Sequence, residues 1–244
     1  GYDLVLPRVA SFTDFGIQVV RVMETAVASN LMMSGSVSVN HPLAKFRAHN
    51  KFFTIQALAG AGVPVPSTVL TWDSDYIAQL VGQDWGVPII LKMLEGTWGM
   101  GVMRADSLEA AVSTFEALQG TGRLLTAQRY IRESAGRDIR VIVVGDQVIG
   151  AVRRIAPEGE FRANIHRGAI SEAIDLAKED QDLALRAARA LELEIAGVDM
   201  LETDQGLQVI EVNPAPGFKA IEESLGIDAA GPIARYLADR VVKS

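Results

Sequence analysis

The sequence predicts an α+β fold of two lobes rather than one parallel sheet, and three observations carry that prediction. Turns at Gly145-Asp146 and at Asp204-Gln205-Gly206 each separate β-rich runs and so mark antiparallel hairpins. The stretches 106–119 and 178–194 place apolar residues at helical spacing alongside those hairpins. A length of 244 residues is enough for one large domain or two smaller ones, each with a buried core.

The elements follow in order. The chain opens Gly1-Tyr2-Asp3 without an initiator Met and enters a strand over residues 2–6, so a further segment is expected upstream. A helix over 16–29 and a Ser/Val-rich connector lead to His41-Pro42, and residues 1–42 read as the end of an N-terminal segment. The next helix runs from Lys51 to Leu58 and is stopped by Gly60, Gly62 and Val63-Pro64-Val65-Pro66. Val87 to Met93 is a buried strand that enters a Gly-rich loop at 96–101. In the helix 106–119, Asp106 is the expected cap and Glu109 gives a box-like start. Leu108, Ala111, Val112, Phe115 and Leu118 form its apolar stripe, and Gly120 ends it.

Strands are expected across 124–155, with Ile139–Val144 and Gln147–Val152 flanking the first turn. Leu183, Ala187 and Leu191 step by four along the helix 178–194. A second hairpin spans 198–213, and a last helix covers 228–241. The expected division is a small lobe at 43–126 and a large lobe at 127–244.

Composition excludes several classes. With no cysteine, disulfides and thiol catalysis are ruled out. A net charge of -7 argues against broad electrostatic binding to nucleic acid or an anionic membrane. No apolar run is long enough to span a bilayer, and the N-terminus lacks a signal pattern, so the expectation is a soluble cytoplasmic protein.

Three constellations could carry chemistry. Lys92 stands at the end of a strand ahead of Gly96, Thr97, Gly99 and Gly101. Glycines admit phosphate oxygens to backbone amides, and a strand-anchored ammonium neutralises them. The spacing is neither a P-loop nor a dinucleotide fingerprint, and taken alone it also fits a flexible turn with a surface lysine. In the second hairpin, a three-residue loop with Gly206 left-handed sets Asp199 opposite Glu211 and Leu201 opposite Val209, with Asn213 on the Glu211 face. Two carboxylates and an amide oxygen together suit Mg²⁺ or Mn²⁺; the competing reading is a solvated acidic face. The third is a run of arginines, Arg140, Arg153, Arg154, Arg162 and Arg167, which fork carboxylates and phosphates or else form a solvated basic surface.

These residues carry a family resemblance over essentially the whole chain. Lys51, Lys92 to Gly101, Gln128-Arg129-Tyr130-Ile131, Asp138-Ile139-Arg140, Arg162-Ala163-Asn164 and Asp199…Glu211-Val212-Asn213 stand in the order of the ATP-grasp enzymes. The wording Glu158-Gly159-Glu160-Phe161-Arg162-Ala163-Asn164-Ile165-His166-Arg167-Gly168 resembles the RimK-type α-L-glutamate ligases. The resemblance implies an ATP-grasp fold with nucleotide between two α+β lobes, preceded by the remnant of an N-terminal α/β domain. It implies that Lys51 and Lys92 bind ATP phosphates under a lid at 96–101, that residues 128–131 line the adenine pocket, and that Asp138 sits by the ribose. It further implies that Arg162 and Asn164 reach the phosphates and acyl phosphate, and that Asp199, Glu211 and Asn213 hold two Mg²⁺ or Mn²⁺ ions. Arg129 stands where the family commonly has Glu, and Gly168-Ala169 replaces a usual Gly-Gly.

The implied activity is an ADP-forming acid–amino-acid ligation that adds L-glutamate to a protein or peptide C-terminal carboxylate. Arg154 or Arg167 is expected to face the substrate. A homo-oligomer with no nucleic-acid or membrane partner completes the expectation. A small-molecule or amino-acid-pathway acceptor is the alternative, and an ATP-grasp phosphotransferase is a further one.

Overall fold

The computed structural model describes residues 3–6, 14–94 and 101–242, and side chains of residues 14–18 lie outside the description. Of the expected phosphate loop, Gly96, Thr97 and Gly99 therefore lie outside the described residues, and Gly101 lies within them.

A short parallel pair, β1 (Leu4–Val5) with β2 (Val37–Ser38), brackets the long helix α1 (Asp14–Met33). Next come α2 (Pro42–Ala48) and α3 (Lys51–Gly60). Asn50 starts α3: its side chain accepts from the Phe52 and Phe53 amides, satisfying two donors that the first turn cannot. The chain then builds β3 (Thr68–Thr71), α4 (Ser74–Gln79) with a wide helical turn through Trp85, β4 (Ile89–Met93), β5 (Val102–Ala105), α5 (Leu108–Gln119) and β6 (Leu125–Arg129). These strands form a four-stranded sheet of order β3-β6-β4-β5, antiparallel throughout. Phe115 and Ala111 of α5 pack on Ile89, Leu91 and Leu125 beneath it.

The second sheet contains β7 (Arg137–Val144), β8 (Gln147–Ile155), β9 (Ile170–Ala173), β10 (Ile195–Thr203) and β11 (Gly206–Asn213), in the order β11-β10-β7-β8-β9. Between β9 and β10 lies α6 (Lys178–Ala190), and the chain ends with α7 (Lys219–Leu225) and α8 (Ala230–Val242). Strand alternation gives this sheet two interior faces. Ile139, Val141 and Val143 face α6 and α3, packing with Leu183, Ala187, Leu191 and Leu58. Ile142, Val144 and Val152 face α7 and α8, packing with Ile221 and Ile233. Asn40, buried, locks the N-terminal connector onto this sheet with four hydrogen bonds. Its Nδ2 donates to the Ile195 and Pro214 carbonyls, and its Oδ1 accepts from the Glu194 and Ile195 amides.

Several local expectations are corrected. Ser107, not Asp106, caps α5, accepting from the Ala110 amide, while Asp106 pairs with Arg104. The helix expected to 194 ends at Ala190, where the chain turns through Glu192 at φ 57°. The second turn has two residues rather than three, because Thr203 pairs directly with Gly206. Leu201 consequently lies opposite Gln208, not Val209. A bulge between Asp199 and Met200 then restores the expected offset, and Asp199 does lie opposite Glu211. The expected boundary between residues 126 and 127 falls inside β6, and α2 and α3 pack into the core of the five-stranded sheet.

Candidate active site

A cavity of about 720 Å³ opens between the two sheets. Its floor is the face of the five-stranded sheet that carries Asp138, Arg140, Arg154, Asp199 and Glu211. Register explains the arrangement: Asp138 lies opposite Arg154, Arg140 opposite Asp199, and Asp199 opposite Glu211. The first two of these pairings set opposite charges on neighbouring strands, as a sheet face favours, whereas Asp199 and Glu211 set two carboxylates side by side. Arg154 forks Asp138 through two bonds of 2.6 Å and also reaches Asp199 at 3.0 Å. Arg140 forks Asp199 through Nε and, at 2.6 Å, through Nη2.

Burial and partners compete over these charges. Burial pushes the Asp138 carboxyl up to about 6 against the pull of Arg154. Burial works the same way on Asp199, but Arg140 and Arg154 outweigh it and hold that carboxyl below its usual range. The bulge has a further consequence. Two residues of β11, Ile210 and Glu211, meet one step of β10, and both line the cavity while Val209 stays in the core. Gly197, across from Asn213, has no room for a side chain, since a Cβ there would lie 2.8 Å from Pro216 and 3.4 Å from Arg140.

The roof comes from the four-stranded sheet. Lys92, on β4, lines the cavity with Gln128, Arg129, Tyr130 and Ile131. Burial lowers the Lys92 ammonium to about 8, with Glu211 and Asp199 opposing that fall and Lys51 adding to it. Lys51 is brought close by its backbone, since its amide donates to the Leu94 carbonyl at 3.0 Å. Gly101 closes the far end of the loop at φ 69°, accepting from the Met93 amide at 2.8 Å; a Cβ there would strike the Met93 side chain. Arg129 is exposed, and Gln128, buried, donates to Thr68 Oγ1 at 2.8 Å.

One rim of the cavity is the segment 160–168. Glu160 accepts from the Arg162 amide, Nε and Nη2 at 3.0, 2.9 and 2.8 Å, and from Arg167 Nη1 at 3.4 Å. The Arg162 side-chain bonds hold the Glu160 carboxyl down at about 2. The Arg162 guanidinium also lies 5.0 Å from the Phe161 ring centre, and its Nη1 donates to the Val102 carbonyl on β5.

Of the residues singled out from sequence, Lys51, Lys92, Gln128, Arg129, Tyr130, Ile131, Asp138, Arg154, Arg162, Asn164, Asp199, Glu211 and Asn213 all line this one cavity. Arg167 does not line it and is turned to Glu160. Arg153 lies on the opposite face of β8 from Arg154 and pairs with Glu202 at 2.8 Å. Arg154 reaches the cavity with its fork bonded to Asp138 and Asp199. Sequence reasoning did not single out Arg21 and Glu24 of α1 or His49, just past the end of α2, all of which line the cavity. It gave Glu160 no separate part. The signal for Arg21 was a charge inside Val19-Val20-Arg21-Val22. Among the described residues no three His, Cys, Asp or Glu side chains cluster as a metal site; Asp199, Glu211 and Asn213 offer two carboxylates and an amide. No helix among them is long and apolar enough to cross a membrane.

Comparison with known proteins gives a consistent picture. Residues 48–237 match the RimK-like ATP-grasp domain. Ribosomal protein bS6–L-glutamate ligase of Escherichia fergusonii is 38% identical over 236 residues, covering 97% of this chain and 76% of that protein. A probable alpha-L-glutamate ligase of Shewanella loihica is 40% identical over 237 residues, with the same two coverages. The solved structure of the ATP-grasp ligase PsnB with its minimal precursor superposes with a TM-score of 0.72 at 26% identity, covering 92% of this chain and 70% of that one.

Proposed function

Because this chain belongs to the RimK-like ATP-grasp family, we propose that it adds L-glutamate, through its amine, to the C-terminal carboxylate of a protein or peptide at the expense of ATP. One observation carries the reading: Lys92 of the four-stranded sheet and Glu211 and Asp199 of the five-stranded one line a single cavity, and the two carboxylates act on the ammonium across it. A phosphate chain laid between the sheets meets cations from the roof and hard oxygen donors from the floor.

The residues divide the work as follows. Tyr130 and Ile131 follow the end of β6, so their main-chain groups stand outside the ladder and in the cavity wall. They offer the base edge its hydrogen bonds, and the exposed Arg129 side chain is not needed for that contact. Asp138 keeps a second lone pair on each oxygen for a ribose hydroxyl. Lys51 and Lys92 neutralise phosphate oxygens. Asp199, Glu211 and Asn213 suit a hard divalent cation: they stand together at one edge of the sheet, Asn213 Oδ1 accepts a 2.9 Å bond from the Ala215 amide, and Asp199 would share its oxygens between the ion and Arg140 and Arg154. When bound, such an ion supplies further neutralisation of phosphate charge.

The chemistry is two displacements. A carboxylate oxygen of the acceptor attacks the γ-phosphorus of ATP and ADP leaves, giving an acyl phosphate. The amine of glutamate then attacks the acyl carbon, loses a proton and expels phosphate, giving the amide. Lys92 and Arg162 stabilise charge on the transferring group, Arg162 being held in place by Glu160. ADP release from purified protein with ATP, Mg²⁺, L-glutamate and a panel of glutamate-ended peptides tests the reading. Release that requires both the amino acid and the peptide supports it, and release with neither or with another amino acid alone overturns it.

A further inference from the structure

The roof of the cavity and the rim at 160–168 belong to different sheets, and contacts at β5 join them. On β5, Val102 lies opposite Lys92 and Arg104 opposite Ile90, which places Arg104 on the strand face that carries the cavity residues Val102, Lys92 and Ile90. The Val102 carbonyl takes the 3.2 Å bond from Arg162 Nη1, so the rim guanidinium meets the strand at the position that pairs with Lys92. Two residues on, the Arg104 guanidinium lies 5.6 Å from the centre of the Phe161 ring, and the Arg162 guanidinium lies 5.0 Å from the same centre. One ring thus serves a cation from each side of the cavity, at distances where its negative face attracts both. Arg104 is itself held: its Nε and Nη2 each donate to Asp106 Oδ2 at 3.2 Å. The Asp106 bonds keep its guanidinium protonated more firmly than usual, and the Tyr130 side chain adds to that effect. Arg104 therefore reaches from the wall that holds Tyr130 to the rim that holds Phe161.

The pair of Glu160 with Arg162 does not replace this link. Its members are two residues apart in one segment, so it orients the guanidinium within the rim and travels with it. We propose that Arg104 is a positioning residue: through the Phe161 ring it holds the rim segment 160–162 against β5 and so keeps the Arg162 guanidinium beside Lys92, over the phosphate chain. Arg104 does not line the cavity and acts through Phe161 and Arg162. The competing reading confines Arg104 to the turn from β5 into α5, where its exposed pair with Asp106 contributes little. The role in turnover rests on the glutamate-ligase reading, but the hold on the rim does not and is measured without turnover.

The experiment combines hydrogen exchange with a double-mutant cycle. The Phe161 and Arg162 amides both donate to Glu160 Oε1, at 2.9 and 3.0 Å, so their exchange reports opening of the rim. In the ADP complex, Arg104→Met should speed exchange of these two amides about two- to fivefold, and Arg104→Lys, which keeps a cation, should lie between it and wild type. In turnover with ATP, Mg²⁺, L-glutamate and a glutamate-ended peptide, Arg104→Met should lower kcat with the KM for ATP unchanged. In a Phe161→Leu background, Arg104→Met should change neither exchange nor kcat further. Equal exchange in wild type and Arg104→Met, faster exchange with kcat unchanged, or effects of the two substitutions that simply multiply, overturns the proposal. A raised KM for ATP with exchange and kcat unchanged also overturns it, since Arg104 would then act on the nucleotide wall. Should Arg104→Met fail to fold, Arg104→Lys decides by the same exchange: faster than wild type supports the hold, and equal overturns it. If exchange quickens as expected in a protein that never ligates, the hold on the rim stands and the ligase reading fails.

Discussion

On the five-stranded sheet Arg140 and Arg154 each lie opposite a carboxylate on the neighbouring strand. On the four-stranded sheet Lys92 lies opposite Val102 and Thr126, and the acids that act on it, Glu211 and Asp199, come from the other lobe. The floor therefore satisfies most of its charge within one sheet, while the roof depends on what lies across the gap. Pairs fixed by strand register hold the fold and set the shape of the site. A cation whose partners lie across a cavity remains available to a ligand placed between them.

Removing a floor acid that register leaves for a ligand should have the largest effect. Glu211→Gln keeps the shape of β11 and loses one charge at the proposed ion site; turnover should fall on the order of a thousandfold or more, with the urea midpoint retained. Near-normal turnover at saturating Mg²⁺ would return Glu211 to a structural role. The opposite signature is expected for Arg154→Met, which leaves Asp138 and Asp199 short of a buried cation. Stability should drop by about 3–5 kcal/mol, read by urea unfolding, and a drop under about 1 kcal/mol would show that the charge ladder is not structural.

The roof sharpens the contrast through pH. Lys92 is lowered from 10.5 to about 8, so its ammonium is lost as pH rises through 8. Between about 8 and 10.5 the unfolded chain binds the extra proton, so this group's penalty on folding is relieved as pH rises. Phosphate binding favours the charged form, so ADP binding at pH 8 to 9 should take up a proton, measured by calorimetry in two buffers of different ionisation enthalpy. Lys92→Met should abolish that uptake, and equal uptake in both proteins would remove Lys92 from the phosphate site.

The smallest effect is expected at the rim. Glu160 is held down at about 2 by its bonds to Arg162, so the stability it contributes is present above its ordinary value near 4.5 and is lost as pH falls toward 2. Glu160→Gln should cost about 1–2 kcal/mol at neutral pH and should lack that acid limb in urea unfolding. An unchanged acid limb would show that Glu160 does not hold Arg162 in solution.

Much of this site was legible because strand periodicity is strict. Asp199 opposite Glu211 follows from counting back from a turn, and it survived an error in the turn because a shorter loop and a bulge cancel. The same periodicity should have separated Arg153 from Arg154, adjacent residues that face opposite sides of β8. The short helices α2 and α4, of seven and six residues, were missed because so few positions give no reliable helical period. The commitment of Arg154 and Arg167 to internal carboxylates depends on tertiary partners that sequence spacing does not reveal. Arg21 was illegible for a related reason: whether a lone charge in an apolar helix meets solvent or a cavity is decided by the element packed against it.

The central claim is that the cavity joins glutamate to a carboxylate, and intact-mass spectrometry tests it most directly. Purified protein with ATP, Mg²⁺, L-glutamate and a glutamate-ended peptide should lengthen the peptide by whole glutamyl units with matching ADP release, and Glu211→Gln should not. An unmodified peptide, or one lengthened by another amino acid in place of glutamate, would contradict the account.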